Sequence, residues 1–342
     1  MKLALIGTSQ SGKTTAFLAI AGPQSPHLLA DQKAHLAMID FVDQRLDALA
    51  ASERSKKITT IQFGLVDSPL LCATPDRGLN FTQIRDSDAF AHVLRAYDPY
   101  EDPVKVFQGM ESDFILKDLE VIDQAMKKVR GELERGRKER EKELPVLLKC
   151  QEALHQEKPL RTLSFSADEM KWVRAYGFLS QKPLLLIVNI AEGDIGKRLE
   201  ALSGHFEKSG LPWVSFSAKT EKELFELKEE ERAEFMADLG IKEPARIQFI
   251  RLAFEAMGLI SFFTVGEEAK AWPLEKGKNV LEAAGKIHSD IARGFIRAEL
   301  YSYNDFLSCG SIQALKEKGL LRLEGKEYVV QDGDVLNIKF SV

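Results

Sequence analysis

The chain has 342 residues, a length that predicts two to three domains at roughly 150 residues each. Apolar residues make up 44% and charged residues 29%, ordinary for a globular protein, so a disordered chain and a collagen-like fibre are excluded. Lys and Arg number 47 against 52 Asp and Glu, and the net charge of −5 gives no global attraction to nucleic acid.

Leu3–Ile6 reads as a short strand, Gly7–Lys13 as a glycine-bounded polar loop and Thr14–Ala21 as a helix. The early break into a Gly/Ser loop argues against a signal peptide. Gly7-Thr-Ser-Gln-Ser-Gly12-Lys13-Thr14 fits G-x-x-x-x-G-K-[ST] in full. Glycines let such a loop wrap so that backbone N–H groups face phosphate oxygens, and the following helix start adds its dipole. The candidate phosphate-binding residues are Gly7, Gln10, Ser11, Gly12, Lys13, Thr14 and Thr15, with Lys13 reaching the β/γ oxygens. Thr14 would offer its hydroxyl to Mg²⁺. A second strand, Ile61–Val66, stops at Asp67, which suits a carboxylate holding Mg²⁺ through water; an Asp after a strand is otherwise commonly a turn residue.

From Glu111 to Lys158, 23 of 48 residues are charged, 11 basic and 12 acidic, the mixture of a solvated helix face. Ile115, Leu119, Ile122, Met126, Val129 and Leu133 step by 4, 3, 4, 3, 4 and form an a/d seam. Leu144, Leu147, Leu148 and Leu154 supply a second stripe, with Gly131 and Gly136 between, so an inserted antiparallel helical hairpin is predicted. Arg135, Arg137, Lys138, Arg140 and Lys142 cluster near its tip, either as a solvated turn or as a contact for RNA phosphates.

Two further strands, Leu184–Val188 and Trp213–Phe216, stop at Asn189 and Ser217. Apolar strands that each end at a polar residue suit a parallel sheet covered on both faces, with its site at the carboxyl ends. Asn189-Ile190-Ala191-Glu192 and Ser217-Ala218-Lys219 occupy the places where P-loop GTPases hold the base with N-K-x-D and S-A-K. The candidate base-binding residues are therefore Asn189, Glu192, Ser217, Ala218 and Lys219. Glu192 is a methylene longer than the Asp that accepts two guanine donors, and Ile190 lacks a Lys stem, so guanine specificity is not expected.

Beyond Gly258, strands are predicted at Phe262–Val265, Ala269–Trp272, Phe295–Tyr301 and Val335–Phe340, with Asn279 capping a helix over Val280–Ile287. This is a small α+β domain. Apolar runs such as Leu184–Val188 are far short of the roughly 20 residues a membrane span needs. Cys72, Cys150 and Cys309, odd in number and widely spaced, exclude a disulfide framework and point to a reduced, cytoplasmic setting.

These residues resemble a known family, the Obg-like ATPases or YchF subfamily of translation-factor-related P-loop NTPases. The resemblance is strongest in Gly258-Leu-Ile-Ser-Phe-Phe-Thr264-Val-Gly266, Lys270–Trp272, Ala284-Gly-Lys-Ile-His288-Ser-Asp290, Gly294-Phe-Ile-Arg297-Ala298 and Val330-Gln-Asp332-Gly-Asp334. Those blocks look like that family's TGS domain, a ubiquitin-like β-grasp module. Asp43-Gln-Arg45-Leu46, Thr60-Ile-Gln-Phe63, Lys182-Pro183 and Glu230-Glu-Arg232 extend the resemblance over nearly the whole chain. It implies an α/β P-loop NTPase (mostly parallel sheet) with an inserted antiparallel helical hairpin and a C-terminal TGS-like β-grasp α+β domain. The expected boundaries are 1–108 and 178–257 for the nucleotide domain, 109–177 for the hairpin and 258–342 for the TGS-like domain. It also implies a Mg²⁺-dependent switch that hydrolyses ATP or GTP and associates with the ribosome or its RNA, with adenine favoured by N-x-x-E. Neither DNA nor a membrane is an expected partner.

One departure stands out. The family follows its switch II aspartate with two residues and a glycine; here Asp67 is followed by Ser68, Pro69 and Leu70. Pro69 stiffens the approach and Leu70 removes the flexible glycine, which bears on switching and hydrolysis rather than on binding. No Gln follows Asp67, so no residue is assigned as the water-activating group. Thr59 and Thr60 are the candidates for a Mg²⁺-sensing threonine. A slow hydrolase, a hydrolysis-deficient nucleotide-sensing adaptor and a small-molecule kinase compete, the last disfavoured by the base loops and the C-terminal module.

Overall fold

A computed structural model gives the fold and describes residues 1–22, 35–67, 72–73, 84–137, 140–194 and 199–341. In chain order the first half runs β1 (Lys2–Thr8), α1 (Lys13–Ala21), β2 (His35–Phe41), α2 (Gln44–Glu53), β3 (Lys57–Thr59), β4 (Ile61–Asp67), β5 (Cys72–Ala73) and β6 (Ala89–Arg95). Then come α3 (Pro103–Glu134), α4 (Glu143–His155), α5 (Ala167–Tyr176), β7 (Leu184–Asn189), α6 (Leu199–Ser209), β8 (Trp213–Phe216), α7 (Ala218–Leu224), α8 (Glu229–Asp238) and α9 (Ala245–Ala256). The remainder is β9 (Leu259–Thr264), β10 (Glu268–Glu275), α10 (Val280–Ile287), α11 (Ser289–Arg293), β11 (Phe295–Ser302), α12 (Tyr303–Cys309), α13 (Ile312–Glu317), β12 (Arg322–Glu324) and β13 (Asp334–Phe340). Two compact units emerge, Met1–Ala37 with Gly64–Phe249 and Met38–Phe63 with Ile250–Val342.

The first unit is built on a sheet of order β2-β4-β1-β6-β7-β8, with β5 beside β1. The β4/β1, β1/β6, β6/β7 and β7/β8 ladders are all parallel. Every residue of β7, LLLIVN, is buried, as a central parallel strand covered on both faces requires. Three strands of this sheet escape the sequence reading: β2 (HLAMIDF), the two-residue β5 and β6 (AFAHVLR). In β6 two alanines and a histidine replace the β-branched run that marks a strand, and tertiary burial decides instead.

The a/d seam belongs to one 32-residue helix, α3, started by the Asp102 cap and Pro103. Its first turns send Phe107, Met110 and Phe114 into the core that holds Phe90, Leu184 and Leu186. From Ile115 onward it packs on α4 instead, with Ile122, Met126 and Val129 against Leu147, Cys150 and Leu154. Gln151 donates to Asp123 at 3.0 Å and Arg140 to Glu132 at 3.5 Å, so one chain rises as the other falls: the hairpin is antiparallel. Gly131 lies inside the helix; Gly136, at φ 82°, makes the turn.

The second unit has a sheet of order β12-β11-β13-β9-β10-β3. Antiparallel β9/β10 and β11/β13 pairs meet through a parallel β13/β9 step, the β-grasp arrangement. Helix α10 carries the capping box at Asn279 and Glu282 and packs Val280, Ala283 and Ala284 on Phe262, Leu300 and Leu336. On the opposite face α2 sets Leu46 and Leu49 beside Phe263, Ala271 and Tyr301. Short helices α11, α12 and α13 add to the single helix expected from sequence.

Candidate functional site

The site lies in the first unit, at the carboxyl ends of β1, β4 and β7. Gly7 is required by close approach: a Cβ there would sit 2.7 Å from Ser11 Oγ and 2.8 Å from the Val93 carbonyl oxygen. Gly12 is required twice over, by its φ of +84° and because a Cβ would lie 2.1 Å from Asn189 Nδ2. Gly12 caps α1 without a side-chain hydrogen bond and the first turn carries no acidic residue, so the helix start offers its N–H groups to an anion. The hydroxyls of Thr8 and Ser11 in the same loop are buried without a hydrogen-bond partner among the described residues.

Lys13 and Asp67 form an ion pair, the two residues being 6% and 1% exposed. The second carboxylate oxygen of Asp67 accepts from Thr14 Oγ1 at 2.7 Å. A strand-end carboxylate thus gathers the buried ammonium of Lys13 and the hydroxyl of the exposed Thr14. Asn189 ties this cradle to the start of α7: Nδ2 donates to the Ser11 carbonyl and Oδ1 accepts from the Ala218 N–H, both at 3.0 Å. Ser217 Oγ caps α7 by accepting from the Thr220 N–H at 3.3 Å and its hydroxyl at 2.9 Å.

The structure therefore brings Gly7, Ser11, Gly12, Lys13, Thr14, Asp67, Asn189 and Ala218 together. Thr15 follows in the first turn of α1, half-buried. Glu192 lies exposed in a short turn, Glu192–Asp194, and Lys219 is exposed beside Glu223 at 3.8 Å. Gln10, at φ 63°, presents its carbonyl to the Tyr97 hydroxyl, a partner that sequence reasoning missed because it follows the unrecognised strand β6. In the second unit the hydroxyl of Thr59 donates to Glu268 at 2.5 Å and that of Thr60 to Asp40 at 3.1 Å. Ser68 to Leu71 lie outside the described residues, as do residues 74–80.

At the hairpin tip the expected basic cluster divides. Arg140 is held by Glu143 at 2.5 Å and donates to Tyr176 Oη at 3.0 Å, so it is structural. Arg135, Arg137 and Lys142 are exposed, and Lys138 lies outside the described residues. Trp272 and Phe262 belong to the C-terminal core, and His288 caps α11 by accepting from the Asp290 N–H at 3.2 Å.

A family model, YchF-GTPase_C, described as a protein of unknown function, matches residues 259–341. The "Ribosome-binding ATPase YchF" of Bacillus subtilis is 33% identical over 99% of this chain and 98% of its own length. The chain belongs to the YchF family. The Escherichia coli O157:H7 relative of the same title is 32% identical, covering 100% of this chain and 99% of that one. The Schizosaccharomyces pombe YchF GTPase structure superposes with a TM-score of 0.83 at 25% identity, over 99% of this chain and 97% of that one. A Pyrococcus horikoshii GTP binding protein, 18% identical with a TM-score of 0.67 over 100% of each chain, shares the fold. The YchF fold thus comprises the α/β P-loop core, the helical hairpin and the β-grasp module described above.

Proposed function

We propose that the chain binds Mg²⁺-nucleoside triphosphate in the Gly7–Thr15 loop and hydrolyses it slowly as a switch at the ribosome, preferring ATP. The observation that carries this reading is the cradle itself: Gly12 pressed against Asn189, with Lys13 and Thr14 gathered on Asp67. Lys13 would neutralise the β/γ oxygens, while the uncapped first turn of α1, with Gly12, Lys13, Thr14 and Thr15, supplies N–H donors.

The donor set suits Mg²⁺. A hydroxyl and a carboxylate are hard oxygen ligands, and among the described residues no cluster of three or more His, Cys, Asp or Glu offers a fuller cage. Mg²⁺ characteristically takes few protein ligands and keeps water and phosphate oxygens, so Thr14 and Asp67 would hold it. When bound it would neutralise charge on the β/γ-phosphates. Asn189 and Glu192 would face the base, with Ser217, Ala218 and Lys219 closing the pocket. Of the expected 1–108 and 178–257, residues 1–37, 64–108 and 178–249 would form the nucleotide domain, with 109–177 the hairpin and 258–342, joined by 38–63 and 250–257, the TGS-like module, in a cytoplasmic protein. Ribosome association follows the printed titles of the relatives, and exposed Arg135, Arg137 and Lys142 provide a phosphate-seeking tip.

The test is binding of fluorescent ATP and GTP analogues with Mg²⁺, followed by phosphate release, with Lys13→Ala alongside. ATP preference with Lys13-dependent release supports the reading. GTP preference sinks the role given to Glu192, and binding of neither nucleotide removes the proposal. A second reading, the hydrolysis-deficient adaptor, rests on Leu70 standing where the family has glycine. Tight binding without release selects it.

A further inference from the structure

Two successive carbonyls of the phosphate loop accept hydrogen bonds from side chains at the carboxyl edge of the sheet, one at the end of β7 and one in the loop that follows β6. Asn189 holds the Ser11 carbonyl at 3.0 Å, and the Tyr97 hydroxyl holds the Gln10 carbonyl at 2.5 Å. The Gln10–Ser11 peptide is fixed at its other end too, because the Ser11 N–H donates to the Thr8 carbonyl at 3.2 Å. Gln10 stands at φ 63°, a left-handed conformation that a non-glycine residue adopts at a cost and that its surroundings must maintain.

Tyr97 is itself set in place. The Ala96 N–H donates to the Asn189 carbonyl at 2.9 Å, fixing the exit of β6 against β7. Arg95 ties down the following loop through Glu101 at 2.9 Å and Asp98 at 3.6 Å, and Asp98 accepts from the Tyr100 N–H at 2.9 Å. The Tyr97 ring edge comes within 3.9 Å of where a Cβ on Gly12 would stand. The phenol therefore reaches the loop from a braced position.

We infer that Tyr97 is a positioning residue that latches the phosphate loop open to its ligand. By holding the Gln10 carbonyl and, with Thr8, the orientation of that peptide, it keeps the loop's carbonyl oxygens turned onto protein donors. The N–H groups of Gly12 onward are left to face phosphate. Loss of the hydroxyl alone lets the Gln10–Ser11 peptide turn, and a carbonyl in the cradle repels the phosphates. The inference rests on the nucleotide reading above and deepens it.

Tyr97→Phe keeps the ring and removes the latch. Two measurements test it. In nucleotide-free protein, amide hydrogen exchange of the peptide spanning Gly7–Thr14 is expected to accelerate about three- to tenfold, the worth of one hydrogen bond, with the exchange of β7 unchanged. Equilibrium titration with Mg²⁺-ADP and Mg²⁺-GDP is expected to show both dissociation constants raised by a similar factor, since the latch acts on the phosphate side. Exchange equal to that of the parent overturns the latch whether or not nucleotide binds. A loss confined to one base overturns it as well, because the hydroxyl would then be reading the base. If the parent binds neither nucleotide, the functional reading falls and takes the ligand half of this inference with it, a result distinct from unchanged exchange.

Discussion

His92 stands in the middle of β6, level with Ile6 on one side and Leu186 on the other. It is fully buried, and neither ring nitrogen has a hydrogen-bond partner among the described residues. Burial pushes the imidazole down from 6.5 to about 3. The unfolded chain therefore takes up a proton below pH 6.5 that the folded protein refuses until about pH 3. Stability falls across that window, by an amount on the order of 4–5 kcal/mol when the interval is fully traversed. Denaturant unfolding of the parent and His92→Leu at pH 7 and pH 4.5 is the check. The parent is expected to lose more stability than the variant over that interval; equal losses would show that His92 does not set the acid limit. Lys13 and Asp67 bear on stability in another way: removing one member of a buried pair leaves the other uncompensated, so Lys13→Ala is best read beside a melting curve.

At the scale of elements, Asp118 joins the hairpin to the sheet. Its carboxylate, in the middle of α3, accepts from the N–H groups of Leu179 at 2.8 Å and Ser180 at 2.7 Å, just before β7. Burial raises its pKa despite those bonds. Asp118→Ala leaves two buried donors without partners and is expected to cost about 2–4 kcal/mol, read as a lowered midpoint in urea. An unchanged midpoint would mean that water replaces the carboxylate without loss. Such links are where sequence reading stops. The Gly7–Thr14 motif, the α3 seam and the Asn279 cap are legible because each is a local pattern of a few residues at fixed spacing. Strand β6 is not, since Ala89, Ala91 and His92 have no strand preference and are recruited by burial between β1 and β7. Tyr97 goes unseen for the same reason: its role depends on where β6 ends.

At the scale of the molecule, the partition of the chain follows packing rather than order. Residues 38–63 interrupt the first unit in sequence yet belong to the second, where β3 extends the sheet beside β10 and α2 covers the Phe263 face. Arg45 secures this from the N-terminus of α2, bridging Asp43 at 2.7 Å and Asp332 at 2.7 Å, with its guanidinium 5.3 Å above the Phe263 ring. A fragment of residues 258–342 alone would bare Phe263, Ala271 and Tyr301. It is expected to bind a hydrophobic dye and to melt without a sharp transition; a cooperative melt would show that α2 and β3 are dispensable. In the first unit, α3 serves two cores: Phe107 to Phe114 pack with the sheet, Asp118 ties the helix to the turn before β7, and from Ile122 onward it packs on α4. At 1.5 Å per residue the stretch from Ile122 to Glu134 spans roughly 20 Å, so a tilt of about 10° at the anchor sweeps the Glu134 end through about 3.5 Å. The hairpin is thus a lever arm with its fulcrum among the buried aromatics, and side chains at its tip magnify whatever small rotation the fulcrum allows.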